Sequence, residues 1–455
     1  MKNFITLKSL DGPLLYLMVA LCFMGPAFYN GFPLVFSDTG TYISSGMENF
    51  IPKDRPIFYG WWIKLTIFVW SLWWVIFFQS LVLSFVVVKT CKKVVGLNAS
   101  IWIFALAVVL SAFTGLGWYN SQIMPDIWLG ITFLCLLNLL YHKEHLIIFA
   151  LLGSFGLMTH NSHIPIVLVG LLGVFLIEVT MLKKQSFQWV WPLSTVTFSM
   201  VLMLLVNGIG KDHWFPFRGG HAFLMGRMVD TGLAQRFLED NCASRNYKMC
   251  KYIETFPSDS RELLWDPQSP LQLEGGWEKV KLEYNDINRE ILTTPKYLIS
   301  FLGQAATGTL SQLLQNGVGS GLKSDWYASP SSPPYQSIEK HFPHQMPLYL
   351  QSRQNGNLWK QGLKFEWLNR IYPILLLLCL GLLIRPGYLR TGERTMMLVV
   401  IKLILANALI VATFANVYDR LQGRVSWILV LCGLAFIMVK YATRDEVLIS
   451  SEQED

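Results

Sequence analysis

Residues 99–118 read ASIWIFALAVVLSAFTGLGW, twenty consecutive positions without a charged side chain. A helix that crosses the hydrocarbon core of a bilayer needs about 20 mainly apolar residues, so this stretch predicts a membrane span. The whole chain has the same character, because 53% of its 455 residues are hydrophobic and only 15% are charged. Soluble domains carry about 25% charged residues. The composition therefore excludes a soluble globular protein, a disordered chain and a collagen-like fibre.

Similar apolar stretches recur along the chain and predict about ten membrane helices. The stretches at 146–159 and 164–181 are short, and one broken re-entrant hairpin is an alternative for this pair. The other predicted spans are 12–29, 61–88, 99–118, 126–141, 188–208, 369–385, 396–417 and 425–441. The predicted fold class is an all-α integral membrane protein with a large outer loop between helices seven and eight.

The distribution of Lys and Arg predicts the orientation of these helices, because short cytoplasmic loops are enriched in both. The short loops 119–125 and 159–163 contain neither residue. We therefore expect both termini in the cytoplasm and the large loop on the opposite face. The short tails and the lack of an endoplasmic-reticulum retention signal favour a bacterial inner membrane, with the large loop in the periplasm, and the endoplasmic reticulum is the alternative. The loops assigned to the cytoplasm contain Lys2, Lys8, Lys89, Lys92, Lys93, Lys143, Lys183, Lys184, Arg385, Arg390, Arg394, Lys440 and Arg444.

This topology divides the chain into three parts. Residues 1–208 are predicted to form a transmembrane core with a first outer loop at 30–60, residues 209–366 an outer subdomain, and residues 367–455 the C-terminal transmembrane helices and a cytoplasmic tail. Within the subdomain, an apolar stretch from Tyr297 to Leu314 predicts a helix along the membrane interface or dipping into it. The formal net charge of +7 is scattered through short loops, so membrane lipid is an expected partner and nucleic acid is not.

Two of the seven cysteines, Cys242 and Cys250, lie in the large outer loop. A pair eight residues apart in an oxidising compartment predicts a disulfide that closes a small loop. A metal pair is the competing interpretation, although no third or fourth ligand stands nearby in the sequence.

Polar residues at the outer ends of several spans predict a shared cavity. Asp38 is a candidate general base, because a carboxylate held at the membrane surface beside Tyr42 and Arg55 can accept a proton. A purely structural interpretation is that Asp38 caps a short helix beginning at Thr39. Arg55, in turn, can simply precede the proline that starts helix two.

These residues resemble a known family. An Asp just after helix one with a Tyr four residues later, here Asp38 and Tyr42, is similar to the hallmark of the GT-C membrane glycosyltransferases. The stretch from Arg55 to Tyr59 and Gly60 resembles the Arg-x-Pro-x-Tyr-Pro element of bacterial members, and residues 118–126 resemble their second acidic loop. The likeness covers roughly residues 10–210. It implies a GT-C-like core, with Asp38 as the general base in a pocket shaped by Tyr42, Arg55 and Tyr59.

Three further groups of residues complete the candidate site. Asp126 has a structural interpretation, in which the dipole of the helix that it begins stabilises its carboxylate. In the functional interpretation it binds the substrate, or it binds a divalent cation together with Asp38. His160 and His163, three residues apart in an outer turn, are either packing residues or contacts to a lipid phosphate or a metal. Basic residues near the outer leaflet either meet lipid headgroups or neighbouring carboxylates, or clamp a phosphate, and these are Arg218, His221, Arg227, Arg420 and Arg424.

The expected function is transfer of a sugar, with inversion, from a polyprenyl-phosphate donor to a lipid or glycan acceptor on the periplasmic face. The donor is expected to be lipid-linked because nucleotide sugars are not expected outside the cytoplasm. A transporter or flippase of lipid-linked glycans, a ligase or polymerase of such glycans, and a non-catalytic assembly factor remain alternatives. The sequence has no Walker loop, no Gly-rich dinucleotide motif, no His-Glu-x-x-His motif and no Gly-x-Ser-x-Gly elbow, which disfavours ATP-driven transport and soluble-type hydrolysis.

Overall fold

The computed structural model describes residues 12–182, 187–211, 219–322, 325–356 and 363–451. Within these ranges the regular elements are helices, and the extended pairing is confined to two isolated bridges, Leu34–Gln122 and Phe68–Ser71. The predicted all-α class is therefore confirmed for this part of the chain. Five basic residues considered above lie outside the described ranges, namely Lys2, Lys8, Lys183, Lys184 and Arg218.

The helices before the large loop differ in length. π-helical turns at Thr90–Val95 and Glu178–Leu182 extend two of them, α5 and α10. In chain order the helices are α1 (Pro13–Phe23), α2 (Gly25–Asn30), α3 (Thr39–Glu48), α4 (Phe58–Thr66), α5 (Trp73–Lys89), α6 (Ser100–Phe113), α7 (Leu116–Asn120), α8 (Asp126–Tyr141), α9 (Leu146–Met158), α10 (His163–Ile177) and α11 (Val190–Lys211).

The large loop is itself helical, and three long helices follow it. Its helices are α12 (Gly220–Asp230), α13 (Leu233–Asn241), α14 (Ser260–Trp265), α15 (Pro270–Leu273), α16 (Trp277–Thr293), α17 (Pro295–Leu314), α18 (Pro333–His341) and α19 (Met346–Gln351). The last three helices are α20 (Glu366–Ile384), α21 (Thr391–Phe414) and α22 (Asp419–Ser451).

Six helices of the described ranges are long and apolar enough to cross a membrane, which identifies the chain as a membrane protein. Four other apolar helices, α1, α6, α8 and α9, have only 11 to 16 residues. Each of the ten predicted stretches thus contains an apolar helix, and six of these helices reach the length of a span. The six segments are Trp73–Val95, His163–Leu182, Val190–Ile209, Glu366–Ile384, Thr391–Phe414 and Asp419–Ala442.

The predicted span 61–88 is not one helix. Helix α4 ends at Thr66 and α5 begins at Trp73, and between them Val69 and Trp70 have positive φ angles of 50° and 52°. A left-handed backbone is incompatible with a continuing right-handed helix. The residues of this bend, 67–72, are apolar apart from Ser71, so the hydrophobic pattern continues across it.

Buried apolar side chains form two clusters. The larger one joins the apolar helices and reaches into the second part of the large loop, where α18 packs against α3. The smaller one, called here the outer helical cluster, is formed by residues between Ala222 and Phe301. It contains the disulfide between Cys242 and Cys250. Helix α17 connects the outer helical cluster to the membrane helices. It packs against α16 of this cluster and also against the span-length helix α21.

Candidate functional site

The first outer loop is fixed to the second by a short parallel backbone pairing. The Leu34 N–H donates to the Ser121 carbonyl at 2.9 Å, and the Ile123 N–H donates to the Leu34 carbonyl at 2.9 Å. Asp38 follows this pairing in the first loop, and Asp126 follows it in the second. The pairing therefore sets the relative position of the two carboxylates that the sequence singled out.

A close helix crossing positions the aromatic residues of the site. Helices α3 and α4 meet where a Cβ added to Gly46 would overlap the backbone of Gly60, so the crossing requires glycine. It brings Tyr42 of α3 against Tyr59 of α4, with ring centroids 5.2 Å apart and planes at 82°. The guanidinium carbon of Arg55 lies 5.0 Å from the centroid of the Tyr42 ring, a favourable cation–π distance.

Two carboxylates and three guanidinium groups from four chain segments form one continuous group. Arg55 Nη2 lies 3.2 Å from Asp38 Oδ1, and Arg420 Nη1 lies 3.9 Å from Asp38 Oδ2. Arg420 Nε also lies 3.9 Å from Asp126 Oδ1, which is 3.5 Å from Arg424 Nη1. We call Asp38, Arg55, Asp126, Arg420 and Arg424 the acid–arginine cluster.

The acid–arginine cluster is buried except at one end. The side chains of Arg424 and Asp126 are 0% and 3% exposed, whereas that of Asp38 is 28% exposed. Asp38 is the first residue before α3, yet its side chain makes no capping hydrogen bond to the helix. The carboxylate of Asp38 is therefore held by arginines instead, at the end of the cluster that an incoming molecule can reach.

Arg420 lies at the centre of the cluster and has unused hydrogen-bonding capacity. Its guanidinium carbon lies 4.1 Å from the centroid of the Phe36 ring. Its Nη1 atom is buried and has no hydrogen-bond partner among the described residues, because the 3.9 Å separation from Asp38 exceeds hydrogen-bonding distance. An acceptor oxygen from a bound molecule would satisfy this donor.

Burial and ion pairing act in opposite directions on Asp38. Burial raises the pKa of the carboxyl group, but the positive charges of Arg55 and Arg420 and the hydrogen bonds from Arg55 and Ser37 lower it more. The net result is a pKa below the ordinary value of an aspartate. Asp38 is therefore ionised at neutral pH, which is the state that a general base requires.

His160 and His163 stack beside the cluster, with ring centroids 5.2 Å apart. His163 Nδ1 lies 2.7 Å from the Gly156 carbonyl oxygen, so this nitrogen is the donor. Burial, together with the nearby His163 and the positive charge of Arg424, holds the pKa of His160 well below its usual range. His160 is thus neutral at pH 7 and adds no positive charge to the acid–arginine cluster.

The cluster does not fit a divalent cation. No group of three or more His, Cys, Asp or Glu side chains that could hold a metal occurs in the described ranges. Arg420 lies between Asp38 and Asp126, at 3.9 Å from an oxygen of each, where a cation shared by both carboxylates would have to bind. The alternative in which Asp38 and Asp126 together hold a divalent cation does not fit this geometry.

His221 and Arg227 belong to the outer helical cluster instead. His221 Nε2 lies 2.8 Å from the carbonyl oxygen of Trp277, and Arg227 lies against Gly308 of α17. Neither contacts the acid–arginine cluster among the described residues. Arg218, the third member of this predicted basic group, lies outside the described ranges.

Two polar residues of the spans support the site and were not among the predicted residues. Gln79 of α5 accepts hydrogen bonds from Tyr59 Oη at 3.2 Å and from Trp128 Nε1 at 3.1 Å. Asn407 of α21 accepts from Arg424 Nη2 at 3.2 Å. The signal for both was present in the sequence, because a polar side chain inside an apolar span usually has a specific partner.

Comparison of the chain with known protein families, curated proteins and solved structures finds no match. Its function is therefore inferred from the residues of the site.

Proposed function

We propose that this chain is a membrane glycosyltransferase with about ten transmembrane helices and a GT-C-like core at residues 1–208. It would transfer a sugar from a polyprenyl-phosphate donor to a lipid or glycan acceptor. In the proposed topology the termini are cytoplasmic, and the large loop and the acid–arginine cluster are on the periplasmic face of a bacterial inner membrane. The observation that carries the proposal is the partly exposed carboxylate of Asp38, which faces arginines from two separate segments.

The proposed reaction uses Asp38 as the base. The acceptor hydroxyl binds to the Asp38 carboxylate and its oxygen attacks the anomeric carbon of the donor sugar. The new carbon–oxygen bond forms as the bond to the phosphate oxygen breaks, and the hydroxyl proton passes to Asp38. The polyprenyl phosphate leaves with the electron pair of the broken bond. Attack opposite to the leaving group inverts the anomeric configuration.

Arg420 is the proposed partner of the leaving phosphate, because its buried Nη1 donor has no hydrogen-bond partner among the described residues. Guanidinium groups bind phosphate oxygens through charge-assisted hydrogen bonds, and such donors stabilise charge that develops during reaction. Arg424 and Asp126 support Arg420 from the buried side. When phosphate binds to Arg420, the electrostatic effect of Arg420 on Asp38 weakens, and the pKa of Asp38 rises, which makes it a stronger base.

Arg55 and its aromatic neighbours are proposed to orient the base. Arg55 donates from Nη2 to the side chain of Asp38 at 3.2 Å and from Nη1 to its backbone carbonyl at 3.4 Å. Tyr42 lies between Arg55 and Tyr59, and contacts both. These contacts fix one oxygen of Asp38 and leave Oδ2, the oxygen facing Arg420, to receive the proton.

The test uses the full chain in lipid nanodiscs with a panel of radiolabelled polyprenyl-phosphate sugars. Consumption of one donor by the wild type, lost in an Asp38→Asn variant that still inserts, supports the transferase and identifies the sugar. Normal turnover by that variant would remove Asp38 as the base. Absence of binding of every donor by both proteins would count against the GT-C assignment.

The lowered pKa of Asp38 favours one second candidate, because it makes the carboxylate a weaker base. In a transporter or flippase of lipid-linked glycans, Asp38 would only hold Arg55 and Arg420 in place for the phosphate. A ligase or polymerase of such glycans is a nearer relative of the transferase and would share its base. Donor binding without turnover, and movement of the lipid across the membrane that survives Asp38→Asn, would support the transporter.

A further inference from the structure

The turn that precedes Arg420 is held by the large outer loop. Residues 415–418 connect α21 to α22, and Arg420 is the second residue of α22. Gln312 of α17 forms hydrogen bonds with both the carbonyl oxygen and the N–H of Tyr418. Its Nε2 donates to the Tyr418 carbonyl at 2.9 Å, and its Oε1 accepts from the Tyr418 N–H at 3.1 Å. The Gln312 side chain is buried, with 0% exposure of the residue.

A second contact holds the residue directly before Arg420. The Gly317 N–H donates to Asp419 Oδ1 at 2.9 Å. A Cβ on Gly317 would lie 2.9 Å from Oδ2 of the same carboxylate, so a side chain at this position would displace Asp419. The consecutive residues Tyr418 and Asp419 are thus bound by residues 312–317, at the C-terminal end of α17.

A third contact comes from the outer helical cluster itself. Asn416 Nδ2 lies 2.7 Å from Asp230 Oδ2 and 2.6 Å from Ser260 Oγ. Asp230 Oδ1 also accepts from the Ser260 N–H at 2.7 Å, which joins α12 to α14. The turn is therefore connected both to α17 and to the core of the outer helical cluster.

These contacts determine how the first turn of α22 is oriented. Residues four positions apart lie on the same face of a helix, so the orientation that aims Arg420 at Asp38 and Asp126 also aims Arg424 at Asp126. The ion-pair distances of 3.9 Å around Arg420 are too long for hydrogen bonds. The position of its guanidinium group therefore depends strongly on the backbone that carries it.

We propose that Gln312 and Asp419 are positioning residues for Arg420. They hold the start of α22 so that the Arg420 guanidinium group faces the phosphate of the donor, and they connect this phosphate site to the large outer loop. The inference rests on the proposed function, because it assigns the donor phosphate to Arg420.

The test measures binding of farnesyl phosphate, a short polyprenyl phosphate without a sugar, to the full chain in nanodiscs, with farnesol as the uncharged control. We expect Gln312→Ala to raise the Kd for farnesyl phosphate about tenfold, because two hydrogen bonds to the Tyr418 backbone are lost. The matched control is Gln304→Ala. Gln304 lies on the same helix and donates to the Thr231 carbonyl at 3.1 Å, away from the turn, so its loss should leave the Kd unchanged.

A double-mutant cycle separates positioning from a general loss of structure. In an Arg420→Ala background, Gln312→Ala should have no further effect on the Kd, because its effect passes through Arg420. Independent, additive losses would overturn the inference. Asp419→Asn keeps an acceptor oxygen for the Gly317 N–H and should bind farnesyl phosphate more tightly than Asp419→Ala. Equal binding by these two variants would also contradict the inference.

The two proposals fail in different ways. If Arg420→Ala binds farnesyl phosphate as tightly as the wild type, the phosphate role of Arg420 is wrong, and the positioning role falls with it. If Arg420→Ala weakens binding while Gln312→Ala behaves like Gln304→Ala, the phosphate role remains and only the positioning role is wrong.

Discussion

Arg55 Nη2 lies 3.2 Å from Asp38 Oδ1, and this pair controls the protonation state of the proposed base. The Arg55 side chain is only 10% exposed, so solvent and salt screen its charge less than they would at the surface. Arg55 is itself shared, because its Nε donates to Asp54 Oδ2 at 2.9 Å. The charge of Arg55 is therefore divided between a carboxylate that is proposed to react and one that is not.

The first prediction concerns the pH dependence of transfer. A general base acts in its deprotonated form, so kcat/KM is at its full value above the pKa of Asp38 and falls as the pH drops through that pKa. Since Arg55 lowers this pKa, Arg55→Gln should raise it and move the acid limb to higher pH. The measurement is kcat/KM against pH for both proteins. Acid limbs that coincide would mean that the limb does not report Asp38.

The second prediction separates the two carboxylates that Arg55 binds. Asp38→Asn should lower kcat by about 10²–10⁴-fold, the usual contribution of a general base. Donor binding should not weaken, because the variant removes a negative charge that faces Arg420. Asp54→Asn is the matched control, since it also loses a carboxylate bound to Arg55 and should retain most of the activity. An equal loss of kcat in both variants would mean that the loss arises from the changed surroundings of Arg55 and not from removal of a base at Asp38.

The apolar helices could be predicted from the sequence where polar residues bound them. The stretch 126–141 coincides with α8, Asp126–Tyr141, because Pro125 and Asp126 mark its start. The bend between α4 and α5 could not be predicted, because Val69 and Trp70 are apolar and 72% and 58% exposed. Hydrophobicity reports a preference for lipid, and this preference is the same for a helix and for a bend in an apolar stretch.

The members of the site could be predicted singly, but their arrangement could not. A polar residue at the outer end of a span has few solvated neighbours, so Asp38, Asp126 and Arg420 each indicated a partner. That Arg420 lies between both carboxylates depends on the packing of α22 beside α8, which no local pattern specifies. The place of His221 after helix seven predicts a site shared with the arginines, whereas α12, which carries His221, packs into a separate hydrophobic cluster.

The third prediction is that donor turnover does not require a divalent metal. Arg420 lies 3.9 Å from an oxygen of Asp38 and of Asp126, and its fixed positive charge takes the role that a shared cation would have. Wild-type protein dialysed against EDTA should therefore keep its activity. The measurement is donor consumption before and after chelation. Loss of activity that added Mg²⁺ or Mn²⁺ restores would contradict this prediction.

The last prediction concerns the disulfide between Cys242 and Cys250, which links the end of α13 to the 3₁₀ segment Lys248–Thr255. Closing a loop of eight residues restricts the unfolded chain, and losing the bond should lower the free energy of unfolding of the outer helical cluster by about 2–3 kcal/mol. The measurement is the rate at which added protease cleaves between residues 219 and 314 in nanodiscs. A Cys242→Ser, Cys250→Ser double variant should be cleaved faster than the wild type.

The control for the disulfide is Cys22→Ser, because Cys22 is a free, partly buried cysteine of α1. A membrane-impermeant reductant should make the wild type as sensitive to protease as the double variant. It should have the same effect on Cys22→Ser, which should then be cleaved as fast as the reduced wild type. If the reductant and the double variant have no effect on cleavage, the hydrophobic cluster around Phe237 and Tyr297, whose ring centroids lie 5.3 Å apart, must hold this region without the covalent link.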